Sequence, residues 1–207
     1  MAEDTLTLSS LPLFPLGTVL FPGGELPLRV FEVRYLDLIE KCHKTGAPFG
    51  VIHLREGSEV QVAGAPEERL ETVGTMAHIV AMERTQAGLL HVKCEGRQRF
   101  QINQQKRLKH GLWVADVTLL ARDAAVLIPD DLKHSADALH QLRETLRQRG
   151  TLGPDLEPSL YEDCGWVANR WCELLPLSGQ LKQQLMVLDS PLLRLELVAD
   201  ILNRAGV

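Results

Sequence analysis

The chain has few cysteines, no excess of positive charge and no long apolar run, and these absences exclude several protein classes. Its 207 residues include four cysteines and no C-x-x-C pair, which argues against a zinc ribbon or a disulfide scaffold. The formal net charge of −5 argues against affinity that depends mainly on neutralising phosphates. No stretch approaches the roughly 18 apolar residues that span a bilayer, and the acidic opening lacks a signal-peptide pattern. We therefore expect a cytoplasmic protein.

Sequence signatures of catalysis are also missing. The chain contains no G-x-x-x-x-G-K-[ST], G-x-G-x-x-G, H-E-x-x-H, G-x-S-x-G or S-x-x-K motif. The seven histidines are scattered, and His134 and His140 lie six residues apart, which does not match the i,i+4 spacing of paired metal ligands on a helix. We expect no catalytic residues, no cofactor and no metal ion in this chain.

The first 30 residues combine large apolar side chains with prolines. Four prolines interrupt this segment: Pro12, Pro15, Pro22 and Pro27. Proline has no N–H to donate within a sheet, so the segment is expected to form short extended pieces at sheet edges or bends. A turn is predicted at Pro22-Gly23-Gly24.

An amphipathic helix is predicted next, over about residues 31–45. The apolar side chains that share one helical face are Phe31, Tyr35, Leu38, Ile39 and Cys42. Gly46 is the expected stop. The pattern places Phe31 and Tyr35 in the core and Glu32 at the positive N-terminal end of the helix.

Strand patterns follow the helix. The runs rich in β-branched and apolar residues are Phe49–Leu54, Val73–Glu83, Leu89–Cys94, Phe100–Ile102 and Leu112–Leu120. Turns are predicted at Gln86-Ala87-Gly88, Glu95-Gly96 and His110-Gly111. Several strands around one helix predict a barrel-like β domain over residues 1–122.

Helical periodicity dominates from about residue 123 to the end, and four helices are expected there. Their boundary signals are Pro129 and Gly150, the capping-box spacing of Ser159 and Glu162, Ser178, and the pair Ser190-Pro191. The apolar stripe of the last helix is expected to be Leu193, Leu197 and Ile201. The sequence thus predicts an α+β protein whose second domain, residues 123–207, is a helical bundle.

The segment from Leu11 to Tyr35 closely resembles the opening of a known family, the Lon protease N-terminal domains. Pro12-Leu-Phe-Pro15, Phe21-Pro-Gly23 and Phe31-Glu-x-Arg-Tyr35 resemble signatures of that family, and Gly96-Arg-x-Arg-Phe100 resembles its later glycine-arginine turn. The similarity continues more loosely through Leu192-Leu-Arg-Leu-Glu-Leu197. The resemblance implies a PUA-like β pseudo-barrel that encloses a helix, followed by a C-terminal helical bundle.

The resemblance also implies a function. In the full protease this region precedes an ATPase and a serine-lysine peptidase and helps to engage protein substrates. Because this chain carries neither a nucleotide loop nor a recognisable peptidase segment, we expect a stand-alone protein- or peptide-binding module without its own catalysis. The expected partners are unfolded or client proteins, together with a separate ATP-dependent protease or chaperone.

The peptide is expected either in a crevice between barrel and bundle or on an apolar surface near residues 14–21. The residues expected to bind it are Phe14, Leu16, Phe21, Glu32 and Arg34. Apolar side chains in a proline-stiffened loop lose little entropy on binding. Glu32 and Arg34 would orient the peptide by charge; alternatively, they form an ion pair that stabilises the start of the helix.

A basic stretch over residues 93–109 supports an alternative function, RNA binding through a PUA-like barrel. It holds six basic residues and one acidic residue, and the expected RNA contacts are Lys93, Arg97, Arg99, Lys106 and Arg107. Its single aromatic residue, Phe100, is fewer than stacking platforms usually offer, which favours a hairpin with a solvated basic face. A hydrolase without a recognisable motif is the third alternative, and the motif search gives it little support.

Overall fold

Among residues 6–59, 67–150 and 157–206, which the computed structural model describes, seven strands and one helix precede four further helices. By their internal contacts the residues divide into two compact units, Met1–Arg122 and Asp123–Val207. That the two units are separate domains stays a prediction.

The first unit contains the seven strands found in the described ranges. They are β1 (Thr7–Leu16), β2 (Glu25–Val30), β3 (Phe49–Glu56), β4 (Arg69–Leu70), β5 (Val73–Gln86), β6 (Leu89–Arg107) and β7 (Trp113–Leu119). One helix, α1 (Val33–Thr45), lies between β2 and β3 in the chain. Two of the predicted strands, Leu89–Cys94 and Phe100–Ile102, are parts of the single long strand β6.

The strand pairings of the first unit form a closed circuit. β1 pairs antiparallel with β7, and β7, β6, β5 and β3 follow as antiparallel neighbours. β3 then pairs in parallel with β1, while β2 adds to β6 and β4 adds to β3. Shifts of register in several pairs make this an irregular barrel. The expected α+β class, with a pseudo-barrel and a following set of helices, is confirmed.

The proline-rich segment forms one long strand, β1, where the sequence predicted short pieces. Pro12 lies opposite Val114 of β7, and Pro15 lies opposite Ile52 of β3. Because the two halves of β1 pair with different strands, each proline has a paired strand on one side only. A proline can occupy such a position because its missing N–H need not serve a second partner.

The turn predicted at Glu95-Gly96 is wrong, because β6 continues through these residues. Gly96 instead allows a close approach of backbone: a Cβ on Gly96 would lie 2.3 Å from the carbonyl oxygen of Phe21. Gly23 N–H donates to Gly96 C=O, and Gly96 N–H donates to Gly24 C=O, each at 2.8 Å. The predicted turn after Phe21 does form, since Gly24 N–H donates back to Phe21 C=O at 3.0 Å.

Helix α1 buries its apolar face in the core of the first unit. The buried apolar residues are Tyr35, Leu38, Ile39 and Cys42, as their helical spacing predicted. Gly46 ends the helix with a φ of 69°, a left-handed conformation that glycine adopts without strain. The helix begins at Val33, later than predicted. Phe31 therefore precedes it and is 53% exposed, so its predicted place in the core is wrong.

The second unit consists of α2 (Lys133–Gln148), α3 (Cys164–Leu174), α4 (Gly179–Val187) and α5 (Pro191–Ala205). Ser178 and Ser190 cap α4 and α5 as predicted, each side chain accepting a backbone N–H at 3.2 Å. Ser159 does not cap α3, because it lies in a separate 3₁₀ turn. Asp163 has that role and accepts the N–H of Trp166 at 2.7 Å.

The prediction of the buried face of α5 is wrong, because two of the three leucine and isoleucine side chains expected there are exposed. Leu193 and Leu197 are 43% and 41% exposed. The buried positions are Pro191, Arg194, Leu195, Val198, Ala199 and Leu202. Because this helix carries apolar residues on two sides, its periodicity does not determine which side is buried.

Candidate functional site

A cavity of about 370 Å³ lies beside strand β2 in the first unit, and we call it the β2 cavity. Phe14 and Leu16 of β1 line it, together with Tyr35 of α1. The uninterrupted run Leu26–Glu32 forms a further wall, and Thr18 and Glu59 complete the lining. Most of these side chains are apolar, so the cavity suits an apolar group.

The inner wall of the β2 cavity is aromatic and neutral. The rings of Phe14 and Tyr35 stack with centroids 4.1 Å apart and an interplanar angle of 17°. Burial raises the pKa of Tyr35 to about 12, so its hydroxyl stays protonated at neutral pH.

Two large apolar side chains are exposed where β2 leads into α1. Phe31, which lines the cavity, is 53% exposed, and Val33 is 73% exposed. An exposed large apolar residue that lines a cavity, as Phe31 does, is typical of a surface that binds another molecule.

Arg34 and Glu32 form the ion pair that the sequence allowed as an alternative. Arg34 Nη2 lies 3.1 Å from Glu32 Oε2, and Arg34 Nη1 donates to the carbonyl of Gly111 at 2.7 Å. The Arg34 side chain is 4% exposed, so it joins the start of α1 to the turn between β6 and β7.

The structure brings three of the five expected peptide-binding residues to the β2 cavity: Phe14, Leu16 and Glu32. Phe21 is fully buried, so the expectation that its side chain is accessible is wrong; its backbone packs against Gly96 in the core. Arg34 is also buried and does not line the cavity. That the three lining residues bind a peptide stays a prediction.

The apolar residues of β2 were missed by the sequence reasoning, although a signal was present. Leu26, Leu28 and Val30 alternate in the sequence, and all three line the cavity. Pro27 within that alternation indicates an edge strand, whose second side is open.

The basic stretch runs along β6 and into the following turn, and within the described ranges three of its six basic residues pair with carboxylates. Lys93 lies 2.7 Å from Glu25, and Arg97 lies 2.8 Å from Glu95. Arg107 pairs with Glu68 at 3.3 Å, while Lys106 is exposed. These pairings offset half of the positive charge that RNA phosphates would need.

The position of Arg99 is the least compatible with RNA binding, because the residue is only 4% exposed. Between the pairs Thr75–Arg99 and Ala77–Gly96, β5 has one residue and β6 has two. The extra residue is a bulge, which places Arg97 outside and Arg99 inside although they are two apart. The expected use of both arginines as one phosphate-binding surface is therefore wrong.

The four cysteines are buried and unpaired. Burial raises the pKa of Cys94 and of Cys172 to about 12, which keeps these thiols protonated and unreactive at neutral pH. Within the described ranges no group of three or more His, Cys, Asp or Glu side chains could hold a metal ion. The helices of the same ranges include none with the length and apolar character needed to cross a membrane.

A larger cavity, of about 730 Å³, lies in the second unit. Leu127, Ile128 and Tyr161 contribute apolar surface, and Leu127 is 76% exposed. Four ionisable side chains share the lining: Lys133, Asp137, His140 and Glu162. These four are among nine lining residues, whereas only three of the twelve that line the β2 cavity are charged, so the larger cavity suits an apolar chain segment less well.

Comparisons with solved structures match nearly the whole chain. A Lon N-terminal domain protein from Xanthomonas campestris superposes with a TM-score of 0.72 at 30% identity, covering 93% of this chain and 98% of that one. The N-terminal domain of the Lon protease of the Mycobacterium avium complex shares the fold, with a TM-score of 0.59 at 19% identity, covering 92% and 96% of the two chains.

Sequence relatives are larger proteins. The Lon protease of Anaeromyxobacter dehalogenans is 28% identical over 94% of this chain, which spans 23% of its length. The Lon protease of Cytophaga hutchinsonii is 32% identical over 78% of this chain and is matched over 19% of its own length. Residues 10–204 match the family model of the ATP-dependent protease La (Lon) substrate-binding domain. The chain therefore belongs to the Lon substrate-binding domain family.

Proposed function

We propose that this domain binds exposed apolar segments of unfolded or client proteins in the β2 cavity, without catalysis of its own. The observation that carries the proposal is Phe31, which is half exposed at a cavity whose lining is mostly aromatic and aliphatic. The relatives named above are proteases that carry a matching region, and the family model describes that region as substrate-binding.

The size and chemistry of the cavity support weak binding of a large apolar side chain. Its volume lies toward the lower end of the roughly 300–1,000 Å³ range of ligand pockets. Burying one leucine or phenylalanine side chain contributes about 1.5–3 kcal/mol. Binding of this strength is transient, which suits a module that passes clients to a separate ATP-dependent protease or chaperone.

Phe31→Ser tests this assignment. We would titrate the ¹⁵N-labelled protein with reduced, S-carboxymethylated α-lactalbumin and follow amide shifts. The substitution removes apolar area that the client is expected to cover, so the Kd should rise about tenfold, or ~1.4 kcal/mol. Because Phe31 is exposed in the free protein, the fold should be retained.

Val80→Ser is the matched control. Val80 is an apolar residue of β5 with 51% exposure, and it does not line the β2 cavity. Its replacement should leave the Kd unchanged. Equal weakening by both substitutions, or shifts that avoid residues 14–35, would contradict the assignment of the cavity.

A further inference from the structure

The wall of the β2 cavity is the edge of a strand. Seven consecutive residues, Leu26–Glu32, line the cavity. Successive side chains of a strand point to opposite faces, so one face would contribute every second residue only. An uninterrupted run means that the cavity lies along the backbone of β2.

The backbone along this edge carries unpaired hydrogen-bonding groups. In the part of the chain that the structure describes, β2 pairs with β6 and with no other strand. Pro27 lies opposite Lys93 and has no N–H to donate, so this pair is of the non-hydrogen-bonded kind. Arg29, two residues on, has the same orientation. The carbonyl of Pro27 and both backbone groups of Arg29 therefore point away from β6.

We propose that the bound segment adds to β2 as a further β-strand. This inference rests on the proposed function and specifies how the segment is held. Its backbone donates to the carbonyls of Pro27 and Arg29 and accepts the Arg29 N–H, while alternate side chains enter the cavity beside Phe14 and Leu26. Main-chain bonds of this kind are independent of sequence, so the site needs only an extended chain with alternate apolar residues.

Charge and backbone chemistry identify the occupant as a neutral segment of another protein. Glu25 and Glu32 are paired with Lys93 and Arg34 at 2.7 and 3.1 Å. The two other charged residues of the lining, Arg29 and Glu59, have opposite signs, so the edge has little net charge with which to select a charged peptide. A second copy of β2 would bring its own Pro27. Two strands that each lack a donor pair poorly, and a proline at an edge opposes pairing between copies.

N-methylated peptides test the proposal. The parent is an eight-residue peptide of alternating leucine and threonine; derivatives are methylated at the leucine nitrogens, at the threonine nitrogens or at both. Methylating one set blocks one edge of the extended peptide and leaves the other free. At least one half-methylated peptide should bind within about threefold of the parent, and the fully methylated one at least ~20-fold more weakly, since each hydrogen bond contributes about fivefold.

Hydrogen exchange at Arg29 provides a second measurement. The Leu28 and Val30 amides already face β6, so only the Arg29 amide should gain protection, by about fivefold or more at saturating peptide. Arg29→Pro removes this donor and should weaken the parent peptide about fivefold, whereas Arg29→Lys keeps it and should bind normally. Retained slow exchange of the β2 and β6 amides would show that the variant is folded.

The outcomes separate this inference from the proposed function. If the fully methylated peptide binds like the parent, or if cavity residues shift while Arg29 exchange is unchanged, strand addition is refuted and the cavity remains a client site. If neither the parent peptide nor unfolded α-lactalbumin perturbs residues 14–35, both proposals fail.

Discussion

Arg194→Met is expected to lower the free energy of unfolding of the second unit by about 3–5 kcal/mol, the usual cost of removing one partner from a buried ion pair. Arg194 lies on α5 and is 1% exposed. Its Nη1 lies 2.5 Å from Asp123 Oδ2 and donates to Asn169 Oδ1 at 2.9 Å. Its Nε and Nη2 donate to the carbonyls of Leu185 and Leu188 at 3.0 and 2.5 Å.

The expected loss of stability follows from the hydrogen-bond acceptors that lose their donor when Arg194 is replaced. Methionine fills a similar length of space but donates no hydrogen bond, so two carbonyls, an amide oxygen and a carboxylate lose this donor. The Asp123 side chain is 17% exposed, so water compensates part of its lost interaction. Adding Asp123→Leu to Arg194→Met removes the remaining charge, and this double variant should be less destabilised than the single one.

Urea unfolding followed by circular dichroism at 222 nm measures the effect, since the signal comes mainly from helices. With a slope of about 1–3 kcal/mol/M, the midpoint should fall by more than ~1 M. Arg204→Met on the same helix is the control. Arg204 pairs with Asp200 at 2.6 Å but is 78% exposed, so its replacement should cost less than about 1 kcal/mol. Equal midpoints for the two variants would refute the reasoning.

Two further predictions concern the first unit. Burial lowers the pKa of His53, so at acidic pH the unfolded chain binds a proton at this residue more readily than the folded chain does. The folded state is therefore favoured fully above pH 6.5, and this contribution to the free energy of unfolding is lost as the pH falls toward the lowered pKa of folded His53. Urea midpoints between pH 7.5 and 5 should therefore decline less in His53→Gln than in exposed His43→Gln, and parallel declines would count against it. Gly96→Ala should lower the free energy of unfolding by ~2–3 kcal/mol in the same assay, because the added Cβ would lie 2.3 Å from the Phe21 carbonyl oxygen. Gly88→Ala is the control: the space around Gly88 is open, so only its positive φ should lower the stability, by ~1 kcal/mol. A Gly96→Ala cost no greater than that of Gly88→Ala would contradict the close approach.

The periodicity of apolar residues predicted the buried face correctly where an element has apolar residues on one side only. The face of α1 from Tyr35 to Cys42 was predicted correctly because a helix that packs on one side has one apolar stripe. Prediction failed on α5, where Leu193 and Leu195 are equally apolar and only the neighbouring helices determine which is buried.

The candidate site was predictable in part. Phe14 and Leu16 were expected from a proline-stiffened apolar segment, and both line the β2 cavity. Phe21 belongs to the same segment but is buried, and its carbonyl packs against Gly96, 75 residues later in the chain. A contact of that sequence separation leaves no periodic signal near either residue.

The order of patterns along the chain, with prolines among apolar residues, one amphipathic helix, β-rich runs and then helical stripes, was enough to predict the α+β class. The family was indicated by the resemblance of short motifs such as Phe31-Glu-x-Arg-Tyr35. Such features depend on residues that are close together in the chain, so they can be recognised from the sequence itself. Only the tertiary structure decided that Arg99 is buried while Arg97 is exposed. It also decided that Arg194 is buried among several hydrogen-bond acceptors and that the edge of β2 borders a cavity. Each of these depends on which distant segments meet, and so on packing and register that no local pattern encodes.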